Sequence, residues 1–251
     1  MALLDADGNV LPSTQPPKAA SSSIKVVICF PTRGDCKAGF TLDLARLVNL
    51  TVRSRPDIRI ALLNAGGLLL HDLRSLMAKQ ALEGGADYLF WLDDDMRFPP
   101  DSLIRLLGHD RDIVGANYIT RNLPPRPTAL HQDESGEKFW HVASPEGVLE
   151  PEEVSALGFG CLLMHARVFE NLPQPWFSMP YHPGKGTHVG EDVYFCANAR
   201  GAGFSTFCDH ALSREIGHIG SFEYRWEHFD ALTVEAANEL PASGPEVTSD
   251  Q

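Results

Sequence analysis

Three consecutive carboxylates, Asp93-Asp94-Asp95, directly follow the apolar run Tyr88-Leu-Phe-Trp-Leu92. Ligands of open parallel sheets bind beyond the carboxyl ends of the strands, and an extended chain puts Asp93 and Asp95 on one side. There the two are close enough to share one hard cation, directly or through water. Unneutralised, the three charges repel one another at the edge of an apolar layer, and a divalent ion carrying a diphosphate relieves that repulsion. The competing explanation is a solvated loop, or an Asp cap for the helix after Pro99-Pro100-Asp101.

Two later motifs carry further chemistry. Gly190-Glu191-Asp192 precedes Val193-Tyr-Phe-Cys-Ala-Asn-Ala-Arg200, so its acids open a helix. A carboxylate there can deprotonate an acceptor hydroxyl, and the helix dipole is expected to keep it ionised, a ready but weak base. The plainer role is a cap or capping box. In Gly217-His218-Ile219-Gly220 the flanking glycines let the imidazole approach an ion without crowding, and imidazole suits Mn²⁺ among the oxygen-seeking ions. The loop Pro31-Thr32-Arg33 ends the first apolar run and can line a nucleotide pocket. Arg74 and Arg121 can face a diphosphate.

The elements that must position these residues alternate in type. Ile24–Phe30 reads as a strand buried on both faces, and Ile58–Leu63 as a second strand. Thr41–Val52 carries Leu44, Leu47 and Val48 at helical spacing, and a helix through Leu73, Leu76 and Met77 closes at Gly84-Gly85. Asp87–Leu92 is the third strand, a short helix with Leu103, Ile104 and Leu107 follows, and Asp112–Tyr118 is the fourth strand. Strand and helix in alternation imply a mostly parallel sheet flanked by helices. After Arg121 the character changes. Asp133–Glu153 holds seven carboxylates with Lys138 as its only Lys or Arg, a solvated excursion with a hairpin around Phe139–Val142. Ala156–Met164 returns to strand, and the helix from Glu191 closes at Gly201 and Gly203. Residues 1–23, rich in Pro and Ser, read as a mobile leader, and 236–251 as a flexible tail.

Composition removes several classes. With 21 Lys and Arg against 33 Asp and Glu, the 251-residue chain carries a formal charge of −12, which disfavours a broad nucleic-acid footprint. No apolar run is long enough to span a bilayer, and the first residues lack a signal-peptide pattern, so a cytoplasmic protein is expected. Five cysteines, none at C-x-x-C spacing, argue for buried thiols rather than a zinc or disulfide framework. Phe40 stands where a phosphate loop needs Lys, and no G-x-G-x-x-G follows a strand, which disfavours a P-loop ATPase and a dinucleotide oxidoreductase.

In this order the motifs resemble the GT-A glycosyltransferases, especially compact family 2-like members of bacterial and phage type. The resemblance runs from about Ile24 to Gly220. It rests on Val26-Val-Ile-Cys-Phe-Pro-Thr-Arg33, Leu73-Arg74, Tyr88 to Leu103 with its three aspartates, Asp112-Ile-Val-Gly-Ala-Asn-Tyr118, Gly158-Phe-Gly-Cys-Leu-Leu-Met164, Gly190-Glu-Asp-Val-Tyr-Phe-Cys196 and Gly217-His-Ile-Gly220. It departs from many members at Ser75, where they carry Asn after the arginine. It implies a Rossmann-like α/β domain with a nucleotide-sugar-binding half over 24–120 and a smaller mixed, acceptor-side half over 121–235. The implied donor is a UDP- or GDP-linked sugar, with Mn²⁺ or Mg²⁺ on its diphosphate. Asp95 is then the firmest metal ligand and His218 a late one. Asp93 assists the metal or meets the ribose, and Asp94 faces the nucleotide beside Pro31, Thr32, Arg33 and Arg74. Asp192 matches the base of an inverting displacement, although a late histidine also occurs in retaining members. The Gly-rich segment Tyr181–Gly190 is expected to close over the donor, with Lys185, His188 and Glu191 toward the acceptor. A nucleotidyltransferase, or a non-catalytic nucleotide-sugar-binding module, is the alternative. The acceptor is open; a hydroxylated DNA base fits some phage relatives, against the sign of the net charge.

Overall fold

The first apolar run of the described residues, Ile24–Pro31, lacks alternation because both of its faces are covered: Val26, Val27, Ile28 and Cys29 are all buried. The computed structural model describes residues 23–229, apart from 122, 123, 134, 136, 137, 185, 221, 222, 227 and 228. The expected leader, tail and the end of the second half lie outside the described residues, as does Lys185.

The first half contains β1 (Ile24–Pro31), α1 (Ala38–Ser54), β2 (Ile58–Ala65), α2 (Leu70–Glu83), β3 (Tyr88–Leu92), β4 (Met96–Arg97), α3 (Ser102–Gly108) and β5 (Ile113–Gly115). The second contains β6 (Leu130–Gln132), β7 (Phe139–His141), β8 (Glu152–Val154), β9 (Cys161–His165), α4 (Ala166–Glu170), β10 (Tyr181–His182), β11 (Thr187–His188), α5 (Glu191–Gly201), β12 (Thr206–Cys208), α6 (His210–Ser213), β13 (Gly217–Ile219) and β14 (Glu223–Tyr224). One seven-stranded sheet, in the order β2-β1-β3-β9-β5-β12-β8, runs through both halves. β1 pairs in parallel with β2 and β3, and β5 with β12, whereas β9 lies antiparallel between β3 and β5, and β8 is antiparallel to β12. The sheet is therefore the expected mostly parallel, Rossmann-like kind, flanked by helices, with the second half supplying its reversed strands.

Locally the structure differs from the strand pattern read in the sequence. β9 lies between β3 and β5. β5 is shorter than Asp112–Tyr118: beyond Gly115 the chain leaves the ladder, and the buried Asn117 accepts from the Thr128 and Ala129 N–H groups, both at 2.9 Å, and donates to the Val142 carbonyl at 2.7 Å. β12 went unrecognised because three residues are too few to display a period.

Alternation along β3 divides the core. Leu89 and Trp91 face a layer containing Leu73 and Met77 of α2 and the rings of Phe159, Phe169, Phe177 and Phe195. Phe90 and Leu92 face the layer containing Phe40, Leu44 and Leu47 of α1 and Leu103 and Leu106 of α3. Each such side chain contributes about 1.5–3 kcal/mol by leaving water. All five cysteines are free thiols; four are buried and Cys36 is half-buried. Among the described residues no helix is long and apolar enough to cross a membrane.

Candidate functional site

The extended chain ends at Leu92. The Met96 N–H bonds back to the Asp93 carbonyl at 3.1 Å, so the three aspartates occupy a turn between β3 and β4. This undoes the alternation expected of them. Asp93 and Asp95 face different partners, and two clusters result.

The first cluster forms around Arg74 of α2, which is 2 % exposed. Its Nη2 donates to Asp93 Oδ1 at 3.0 Å and its Nη1 to Glu191 Oε1 at 2.6 Å. The guanidinium carbon lies 5.0 Å from the centre of the Phe159 ring. Burial works against the Arg74 charge, but Asp93 and Glu191 outweigh it and raise its pKa. Its Nε is buried without a hydrogen-bond partner. Glu191 and Asp192 form the first turn of α5, whose N-cap is Gly190, with no side-chain cap bond. Asp192 is half-buried, and its Oδ1 accepts the Val193 N–H at 2.7 Å. It folds back over Gly190, where a Cβ would stand 2.6 Å from that oxygen. The sequence suggested that the dipole keeps this carboxyl readily ionised. Instead burial, and then the Glu191 charge, push it up to about 6.

The second cluster is built by β13. This strand pairs antiparallel with β4, setting His218 opposite Met96, and the Ile219 N–H bonds to the Asp95 carbonyl at 2.8 Å. His218 Nε2 comes within 3.4 Å of Asp95 Oδ1, while Arg121 Nη1 meets Asp95 Oδ2 at 2.8 Å. Burial works to raise the Asp95 pKa, but His218 and Arg121 prevail and hold it below the ordinary carboxylate value. The other ring nitrogen of His218, Nδ1, lies 2.9 Å from the Ile119 carbonyl. A carbonyl only accepts, so Nδ1 carries a proton, and Nε2 is the ring nitrogen turned toward Asp95.

Tyr118 separates the two clusters. Its ring meets His218 edge-on at 5.3 Å, and its hydroxyl accepts the Gly160 N–H at 3.2 Å. A Cβ on Gly158 or Gly160 would stand 2.6 Å from the Tyr118 hydroxyl or 2.8 Å from its ring, so this approach requires both glycines. Burial, and then Asp93, raise the phenol well above its ordinary pKa, so it stays protonated. Neither Tyr118 nor Phe159 was singled out from the sequence. The signal was present in Gly158-Phe159-Gly160, an aromatic between two glycines.

The other expected residues fall around these clusters. Pro31 is buried at the end of β1, Thr32 is half-buried, and Arg33 is exposed. Thr32 donates its N–H to the Ala65 carbonyl at 3.0 Å, and the Lys37 N–H reaches the Asp94 carbonyl at 3.2 Å, which joins this loop to the acidic turn. His188 is exposed on the β10–β11 hairpin, its Nδ1 2.8 Å from the Met179 carbonyl and its ring 5.3 Å from that of Tyr181. Glu191, expected toward the acceptor, turns inward to Arg74.

Among the described residues no group of three or more His, Cys, Asp and Glu side chains is arranged to hold a metal ion. The neighbouring carboxylate and imidazole that could contribute to holding a cation are Asp95, in the turn, and His218, on β13, with Asp95 Oδ2 already on Arg121. Asp93, expected to share the ion, has its Oδ1 on Arg74.

No protein-family model matches the chain, and no curated protein matches it. Among solved structures it is similar to A197 from STIV, with a TM-score of 0.52 and 19% sequence identity over 78% of this chain and 86% of that one. It also matches residues 1–349 of S. aureus TarS, with a TM-score of 0.34 and 10% identity over 70% of this chain and 55% of that one, a likeness too slight to carry an argument. The similarity to A197 shows a shared fold.

Proposed function

We propose that the protein is a metal-dependent glycosyltransferase that moves a sugar from a UDP- or GDP-linked donor to an acceptor hydroxyl, with inversion. The observation that carries the reading is the pairing of opposites at one sheet end. Asp95 is held low beside His218 and Arg121, while across Tyr118 the half-buried Asp192 is pushed up to about 6. Carboxylates whose environments push them apart serve different roles. Both lie beyond the carboxyl ends of parallel strands, where ligands of such sheets bind.

In this reading Asp95 and His218 would hold Mn²⁺ or Mg²⁺, which when bound would supply charge stabilisation to a nucleoside diphosphate leaving group. Pro31, Thr32 and Arg33, with Asp94 behind them, would line the nucleotide, and Arg121, paired with Asp95, would face the diphosphate. The acceptor oxygen bonds to the anomeric carbon as the bond from that carbon to the diphosphate oxygen breaks. Asp192 accepts the hydroxyl proton, which requires it unprotonated. Arg74, between two carboxylates, fixes the geometry of the base-bearing turn rather than contacting phosphate. The hairpin of β10 and β11, with Gly184 and Gly186 at its tip, covers the acceptor side and carries His188.

The test is product analysis. Incubation with Mn²⁺ and a panel of UDP- and GDP-sugars is expected to release nucleoside diphosphate. Release of pyrophosphate instead would assign the site to nucleotidyl transfer, and donor binding without turnover under any acceptor would leave a binding module.

A further inference from the structure

The transfer chemistry proposed above uses Asp192 and leaves its neighbour without a task. Yet Glu191 is the more firmly held of the two. Its side chain is 12 % exposed, and its Oε1 takes a 2.6 Å bond from Arg74. Arg74 has no freedom to release it: Asp93 holds the guanidinium from the other side at 3.0 Å, and Phe159 lies against it at 5.0 Å. The chain therefore spends a buried arginine on the first turn of a helix whose N-cap, Gly190, offers no side-chain bond of its own.

We propose that Glu191 is a positioning residue for this reaction: anchored on Arg74, it fixes the first turn of α5 and sets the basicity of Asp192. The inference rests on the reading of Asp192 as the base and adds a tuning group to it. The groups acting on Asp192 come from several elements. Glu191 and the Val193 N–H belong to its own turn, Arg74 to α2, Tyr118 to the segment after β5, and Cys196 to the next turn of α5. Among these charges Glu191 favours the protonated acid and Arg74 opposes it. Because Arg74 is engaged by Glu191 and Asp93, it is not free to pair with Asp192. Removing the Glu191 charge takes away the repulsion and leaves Arg74 less well neutralised, and both effects make Asp192 a weaker base.

The experiment is a ¹³C-carboxyl NMR titration of Asp192 in the full chain, which needs no turnover, alongside the pH dependence of kcat/KM. Glu191→Gln is expected to lower the Asp192 midpoint from about 6 to about 5. Glu191→Asp keeps the charge but shortens the reach to Arg74; it should keep the midpoint and lower kcat. A midpoint unmoved by Glu191→Gln overturns the proposal. So does an equal displacement in both variants, which is what a merely structural role would give. If the NMR midpoint moves while the acidic limb of the rate profile does not, Glu191 tunes Asp192 as proposed and it is the assignment of Asp192 as base that fails.

Discussion

Asp95 and Asp192 flank the same tyrosine at the same sheet end, yet their surroundings drive them in opposite directions. Asp95 is the more buried by geometry, at 8 % exposed, but it meets two basic partners and is held low. Asp192 has a neighbouring N–H and a neighbouring acid, while the nearest arginine is already committed to Asp93 and Glu191; it is held high. Burial alone does not decide a carboxylate's charge. The partners it is given do, and here one cluster receives Arg121 and His218 while the other has Arg74 divided between two acids.

The strongest way to break the contrast is to remove the divided arginine. Arg74→Gln leaves Asp93 and Glu191 facing each other without a buried counter-charge, and urea denaturation should show a loss of about 3–5 kcal/mol. A loss below about 1 kcal/mol would mean that water already neutralises the pair. Gly160→Ala tests the divider. The new methyl would stand 2.8 Å from the Tyr118 ring, and the expected cost is about 1–3 kcal/mol, with the His218 ring signals displaced in NMR spectra.

The pH dependence of stability sharpens the contrast further. The folded Asp192 titrates at about 6 against 3.8 for the ordinary side chain. Between those values the folded protein holds a proton that the unfolded chain has released, so this residue's contribution falls as pH rises through the window and is fully lost above it. Asp192→Asn removes the penalty. At pH 8 the variant should be more stable than the wild type by about 1–2 kcal/mol, allowing for partial exposure, while transfer falls by about 10²–10⁴-fold. Equal stability of the two proteins at pH 8 would show that the carboxylate is well solvated. The smallest effect is expected at Arg121, which is 44% exposed. Arg121→Ala should cost less than about 1 kcal/mol in the same denaturation experiment.

Much of this arrangement was legible in the sequence because it follows from local pattern. Apolar runs gave β1, β2 and β3, and the punctuation by Gly84-Gly85 and Gly201 gave the ends of α2 and α5. The acidic strand end, the Glu191-Asp192 turn and His218 stand out in the sequence because each is marked by adjacent residues. What local pattern cannot hold is pairing across the chain. Arg74 reads in the sequence as a partner for a diphosphate, since Asp93 and Glu191 flank it only after α2 and α5 pack on the same face. The separation of Asp93 from Asp95 was misjudged because two residues of turn replace the extended chain that alternation assumes. Tyr118 was hidden because its role depends on two glycines forty residues away that let it reach the sheet end.

The most direct test of the division of labour compares donor binding with transfer in two variants. Binding of UDP- and GDP-sugars in the presence of Mn²⁺ is measured calorimetrically for Asp95→Ala and Asp192→Asn, beside their rates of nucleoside diphosphate release to acceptor. The account predicts that Asp95→Ala loses metal-dependent donor binding and turnover together, whereas Asp192→Asn binds donor as the wild type does and loses transfer. Donor binding retained by Asp95→Ala, or lost equally in both variants, would contradict it.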